Sequence, residues 1–197
     1  PGTASRVYDI EKFKWSDRKW MNKRTKNFDK PMNIYEVNIG SWKMKKDFTD
    51  EEDGEFYSYE EMIDLLIPYL IENNYTHLEL MPLTEFPFDG SWGYQATGYF
   101  SITSRYGTPK GLMAFINACH KAGIGVIMDF VPAHYVKDGH GLYKFDGGFV
   151  YDYPDIERRY TEWDSVYFDV GREEVRSFLM SLSLIHISEP TRLQLIS

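Results

Sequence analysis

Between Ile34 and Val131 the chain alternates two hydrophobic periods. Tyr35, Val37 and Ile39 alternate with Glu36 and Asn38, the two-residue repeat of a half-buried strand. Ser58 stands three residues before Glu61, a capping-box pattern. Met62, Leu65, Leu66, Tyr69 and Leu70 follow at the spacing of one helical face. Pro68 lies inside that pattern and predicts a kinked or shortened helix, because it lacks an amide donor and crowds the carbonyl four residues back. His77 to Met81 (HLELM) reads as a second strand, stopped by Pro82. Leu112, Phe115, Ile116 and Cys119 mark a second amphipathic helix that Gly123 ends. Gly125 to Val131 (GVIMDFV) is a near-continuous apolar run of the kind found in buried parallel strands. Strand, helix, strand, helix, strand predicts parallel βαβ units and an α/β fold.

The connections are unequal. Helix-to-strand links are short, at Asn74–Thr76 and Gly123–Ile124, whereas strand-to-helix links run over about 40–57, 82–108 and 132–170. In parallel α/β folds, ligand sites gather at the carboxyl ends of the strands. The long links all lie on that edge, an asymmetry expected of an enzyme.

Candidate chemistry lies on the same edge. The third strand runs into MDFVPAH, with Asp129 among apolar neighbours and His134 five residues on. A carboxylate in such company must be paired or hydrogen-bonded. Two roles are open to Asp129, a ligand-site role and the ordering of the following loop. His134 is open to the same choice. His134 and His140 are six apart, which is not a zinc spacing. The loop after the second strand, PLTEFPFDGSWGYQATGYFSITSRYGTP, carries Phe86, Phe88, Trp92, Tyr94, Tyr99, Phe100 and Tyr106 between Gly and Pro turns. Aromatic faces held at a strand end suit the apolar C–H faces of a pyranose, and they equally suit an aromatic mini-core that stabilises the loop. Neither a dinucleotide fingerprint, nor a Walker A sequence, nor a Gly-x-Ser-x-Gly elbow occurs.

Composition narrows the classes. The 197 residues are 43% hydrophobic and 26% charged, with a formal net charge of -8. That excludes collagen-like and disordered chains, and no apolar run approaches the length of a membrane span. An acidic chain argues against nucleic acid or an anionic membrane as partner. The lone Cys119 suits a reducing compartment and a cytoplasmic setting. Residues 1–30 run against the overall sign, with nine Lys/Arg to four Asp/Glu. WSDRKWMNKRTKNFDKP has no clean period and reads as a linker or the exit from an upstream domain. Residues 47–64 hold nine acids and no base, read as a solvated loop entering a helix.

From about Gly2 to Ser181 the chain resembles the bacterial 1,4-α-glucan (glycogen) branching enzymes, of the α-amylase superfamily in glycoside hydrolase family 13. The carriers are PGTAS at the start, IYEVNIGSW (Ile34–Trp42), ELMPLTEFPFDGSWGYQATGYF (Glu79–Phe100), TSRYGTP (Thr103–Pro109), DFVPAH (Asp129–His134) and DVGREEV (Asp169–Val175). The resemblance implies the first three units of a (β/α)8 TIM barrel over residues 31–181. Residues 1–30 would then be the tail of a β-sandwich carbohydrate-binding module with its linker. It implies that Asp129 organises the catalytic centre, that His134 hydrogen-bonds the sugar whose bond breaks, and that Tyr94, within Trp92–Gln95 (WGYQ), stacks on that sugar. The implied substrate is an α-1,4-glucan, either glycogen or a linear maltooligosaccharide. The implied reaction is retaining cleavage with transfer to a 6-hydroxyl, and no metal or organic cofactor is implied. Trehalose-releasing hydrolases of the same superfamily share the strand-loop logic but usually lack the GSW and FDGSWGYQ wording.

The superfamily's nucleophile Asp and acid/base Glu are expected on later strands, beyond Ser181. Residues 182–197, LSLIHISEPTRLQLIS, contain no Asp and one Glu, and resemble translated adapter sequence rather than the continuing family. The chain as given is therefore expected to be inactive. A non-catalytic glucan-binding role resting on Trp92, Tyr94 and His134 stands as the alternative.

Overall fold

A computed structural model describes residues 6–24, 30–49 and 52–183. The elements, in chain order, begin with α1 (Arg18–Lys23), β1 (Ile34–Val37), α2 (Ile39–Trp42), β2 (Met44–Lys46), β3 (Glu55–Phe56) and α3 (Tyr59–Glu72). They continue with β4 (His77–Leu80), β5 (Thr84–Glu85), β6 (Gly98–Ile102), α4 (Pro109–Lys121) and β7 (Gly125–Met128). The last are β8 (His134–Tyr135), α5 (Ile156–Arg159), β9 (Val166–Tyr167) and α6 (Glu173–Ser183).

Strands β1, β4 and β7 form a parallel sheet in that order, with Val37 beside Leu80 and Leu80 beside Met128. Helices α3 and α4 connect them, as the predicted βαβ units require. The two-residue repeat sends Val37, Leu78, Leu80 and Val126 toward these helices. There they meet Met62, Leu66 and Leu70 of α3 and Leu112, Phe115, Ile116 and Cys119 of α4, all fully buried. Burial pushes the Cys119 thiol up to about 12, so it packs as a small hydrophobe. The architecture is a partial, TIM-barrel-like α/β fold.

Several local expectations give way. Ile39 does not extend β1. The Asn38 side chain accepts from the Ser41 amide and caps α2, turning the chain out of the sheet. Pro68 does not shorten α3, which continues from its Ser58–Glu61 capping box to Glu72. Pro68 is exposed, and so is Asp64, whose carbonyl the proline leaves without an amide partner and which water can reach. Ile67 joins the core, while Leu65 is only half-buried. The third strand stops at Met128, short of the expected Val131.

The segment without a clean period, read as a linker or the exit from an upstream domain, contains α1. Trp20 stacks flat on His120 of α4, with ring centroids 3.9 Å apart. The His120 Nδ1 lies 2.7 Å from the buried Asp17 carboxylate, and the Ser16 amide donates to Asn117. Tertiary contact, not helical period, makes this short helix. The expected tail of a β-sandwich module falls partly on residues 1–5 and 25–29, outside the described residues. At the other end α6 runs through Ser183 with Leu182 fully buried, two residues past the boundary expected at 181. The rest of the stretch read as adapter-like lies outside the described residues.

Candidate functional site

Each long link folds at the carboxyl edge of the sheet. The link after β4 is pinned by Arg105, which donates to Glu85 at 2.8 Å, pairs with Asp89 and covers the Phe86 ring at 4.1 Å. This sorts the aromatic residues of the loop. Phe86, Tyr99 and Tyr106 are buried, Tyr106 in the core of the parallel sheet and Tyr99 in a second core with Tyr135 and Phe168, whereas Phe88 and Trp92 are exposed and Tyr94 is half-buried in a small cleft. Gly93 makes that placement possible. Its φ is +92°, and a Cβ there would stand 2.2 Å from the Pro82 carbonyl oxygen. Only glycine can bring the chain this close while turning from Trp92, itself left-handed, into Tyr94.

Asp129 follows β7 directly, and its amide extends the ladder by donating to the Leu80 carbonyl at 2.9 Å. Its Oδ2 accepts a 2.7 Å hydrogen bond from the Tyr94 hydroxyl. Two residues 35 apart in sequence thus meet in one cleft, lined also by Pro82, Thr84, Gly93 and Val131. Burial, and then the Asp129 hydrogen bond and charge, push the Tyr94 phenol far above its ordinary value, so it remains a donor. The charges of Glu36 and Glu79 act the same way. These two acids are register partners on β1 and β4, on the sheet face opposite the helices. Sequence reasoning passed over them, although charged residues at the alternate positions of a barrel strand were the available signal.

His134 stands outside that cleft, on β8. Its carbonyl accepts from the buried Tyr99 hydroxyl at 2.8 Å. Next to it, Tyr135 donates to the buried Asp152 at 2.8 Å, and Asp152 faces Arg159, whose guanidinium covers Phe149 at 3.7 Å. Backbone and neighbour are thereby fixed, while the His134 Nδ1 is buried without a hydrogen-bond partner among the described residues. Burial lowers the His134 pKa, so the ring is neutral at pH 7. Gln95 is half-buried beside Tyr94, and Trp92 is exposed on the same turn. Five sequence-predicted residues therefore occupy one edge, but direct contact joins only Tyr94 to Asp129 among the bonds described. Among the described residues no group of three or more His, Cys, Asp or Glu is arranged to hold a metal ion.

Residues 46–147 match the family described as "Alpha amylase, catalytic domain". The chain belongs to the alpha-amylase family. Within that family it is 53% identical to the 1,4-alpha-glucan branching enzyme of Fusobacterium nucleatum, over 96% of this chain and 30% of that enzyme. It is likewise 53% identical to the 1,4-alpha-glucan branching enzyme of Geobacillus stearothermophilus, over 93% of this chain and 28% of that enzyme. The chain thus spans about 30% of the length of the curated relatives it matches. Among solved structures, an Anoxybacillus alpha-amylase covers 80% of this chain with a TM-score of 0.63, and the chain covers 38% of it. At 18% identity that likeness speaks for the fold alone.

Proposed function

We propose that this chain is the front part of the catalytic barrel of a 1,4-α-glucan branching enzyme, and that its carboxyl-edge cleft grips the glucosyl unit whose bond is broken. Tyr94 offers a ring face to the sugar, and its hydroxyl holds Asp129. The second carboxylate oxygen of Asp129 stays available to a sugar hydroxyl or a neighbouring base. His134, neutral and fixed through Tyr99 and Tyr135, supplies a further hydrogen bond. The reaction would be a retaining two-carboxylate transfer, with a 6-hydroxyl of another glucan as acceptor in place of water. The observation that carries the reading is the Tyr94–Asp129 hydrogen bond at the carboxyl edge of a parallel sheet.

By resemblance the nucleophile and the acid/base fall beyond Ser181, and residues 182–197 supply neither. The 197-residue chain, given linear α-1,4-glucan, should therefore form no α-1,6 linkages detectable by proton NMR. Branch formation by the purified chain would overturn that assignment. Binding tests the cleft separately. Calorimetric affinity for maltoheptaose should fall roughly tenfold or more on Tyr94→Ala, about 1.4 kcal/mol per tenfold step. Unchanged affinity would refute the role given to Tyr94. Under this reading residues 1–30 are the exit from a preceding carbohydrate-binding module, and the enzyme works in the cytoplasm on glycogen.

A further inference from the structure

The link after β7 presents an aromatic face of which only His134 has a role assigned above. Strands β8 and β9 pair antiparallel, with His134 opposite Tyr167 and Tyr135 opposite Val166. Residues directly opposite share a face. Tyr135 and Val166 are buried in a second hydrophobic core with Tyr99 and Phe168, so the opposite face carries Tyr167, which is exposed, and His134, which is half-buried. The turn entering β9 brings a third ring. The Trp163 ring lies 6.1 Å from that of His134, tilted by 37°, and Trp163 is 63% exposed. Tyr167 is itself exposed.

In this chain the Trp163 ring is largely open, and the turn that displays it is tightly built. The Thr161 amide donates to the Ser165 carbonyl at 2.9 Å, and the two hydroxyls meet at 2.6 Å in a buried pair. The Trp163 amide donates to the Thr161 hydroxyl. Asp164 takes a left-handed φ of +60° and pairs with Lys137. The backbone that carries the ring is thus ordered before a ligand arrives, which favours binding. The negative π-face of the indole attracts the weakly positive axial C–H hydrogens of a pyranose.

We propose that Trp163, flanked by Tyr167 and His134, forms a further subsite that takes a glucosyl unit of an α-1,4-glucan chain by stacking. The proposal rests on the glucan reading of the neighbouring cleft and adds a contact to it. A chain long enough to reach both places gains from Trp163, and a short one does not.

Calorimetric titration of the 197-residue chain with maltotriose and maltoheptaose tests this. Trp163→Ala should weaken maltoheptaose binding roughly tenfold, equivalent to about 1.4 kcal/mol, and leave maltotriose within about threefold. Trp163→Phe should restore most of the loss. In the unaltered chain the Trp163 indole N–H resonance should shift on saturation with maltoheptaose, a readout independent of variant folding. Maltoheptaose affinity unchanged in Trp163→Ala but lost in Tyr94→Ala would overturn the subsite and leave the glucan cleft standing. Failure of the unaltered chain to bind either oligosaccharide would overturn both. An unmoved indole resonance at saturation would sink the subsite alone.

Discussion

Replacing Gly93 by alanine should cost more than replacing Gly123, although both glycines have left-handed backbones. Gly93 has φ +92° and Gly123 has φ +85°, so each alanine bears the same intrinsic penalty, roughly 1–2 kcal/mol. Their surroundings differ. A Cβ on residue 123, just past α4, meets nothing within 4 Å. A Cβ on residue 93 would stand 2.2 Å from the Pro82 carbonyl oxygen, a backbone atom that no rotamer change can move. Relieving such an overlap costs roughly 1–3 kcal/mol more. In thermal melts of a chain this size, about 2–4 °C is lost per kcal/mol. Gly123→Ala should lose about 2–8 °C and Gly93→Ala about 4–20 °C, the second loss always the larger. Relief of the clash also shifts the turn bearing Tyr94, so Gly93→Ala should weaken maltoheptaose binding while Gly123→Ala leaves it alone. Equal melting losses for the two variants would refute the steric argument.

Pro68→Ala should stabilise the chain by about 1–3 kcal/mol in urea titrations, because proline is the least favourable helix residue and this one is exposed inside α3. A loss of stability would mean that Pro68 is required where it stands. His77, His120 and His134 all have pKa values lowered by burial, against which Asp17 only partly supports the charged form of His120. A histidine whose folded pKa is depressed takes up its proton more readily when unfolded. Stability should therefore fall as pH drops below the ordinary histidine value of about 6.5. Glu61 adds a separate loss further down. Lys45 and the Ser58 cap hold its folded pKa at about 2, so its contribution is present above the ordinary glutamate range and vanishes as pH falls toward that value. Urea midpoints that stay flat between pH 7.5 and 5.5 would contradict the histidine part. Trp20→Ala should speed tryptic cleavage at Arg18, Lys19, Lys23 and Arg24 by freeing α1 from α4, and an unchanged rate would refute the clamp.

The elements that were legible in the sequence are those whose local chemistry and burial agree. Ser58 and Glu61 cap α3 reciprocally, Gly123 ends α4 with a left-handed φ, and the apolar faces between them are the ones buried against the sheet. Elements made by distant contacts left no local mark. Nothing in RKWMNK is periodic, because α1 exists through the stacking of Trp20 on His120 and the bond from Asp17, partners about a hundred residues away. Ile39 continued a strand pattern until the Asn38 side chain captured the Ser41 amide. At the site, residue types were legible and partnerships were not. Tyr94 and Asp129 were candidates separately, but their bond depends on Gly93 passing close to Pro82. Trp163 was never singled out, since an aromatic residue in a loop reads the same whether it faces core or water.

The two faces of the parallel sheet explain why the site lies where it does. Toward α3 and α4, Val37, Leu78, Leu80 and Val126 are buried, and that side forms a finished core. The other face carries Ile34 and Glu36, which are exposed, and Glu79 and Ile127, which are half-buried. Glu36 and Glu79 sit opposite each other, an arrangement of like charges that opposes strand pairing. Their charges reach Tyr94, at the rim where this face meets the carboxyl edge, and help hold its phenol protonated. Burial and the Asp129 hydrogen bond are the larger causes of that shift, and the acidic face adds to them. Glu79→Gln should accordingly raise stability slightly in urea titrations, by relieving its repulsion with Glu36. Unchanged or lowered stability would refute the repulsion between the two strands' acids.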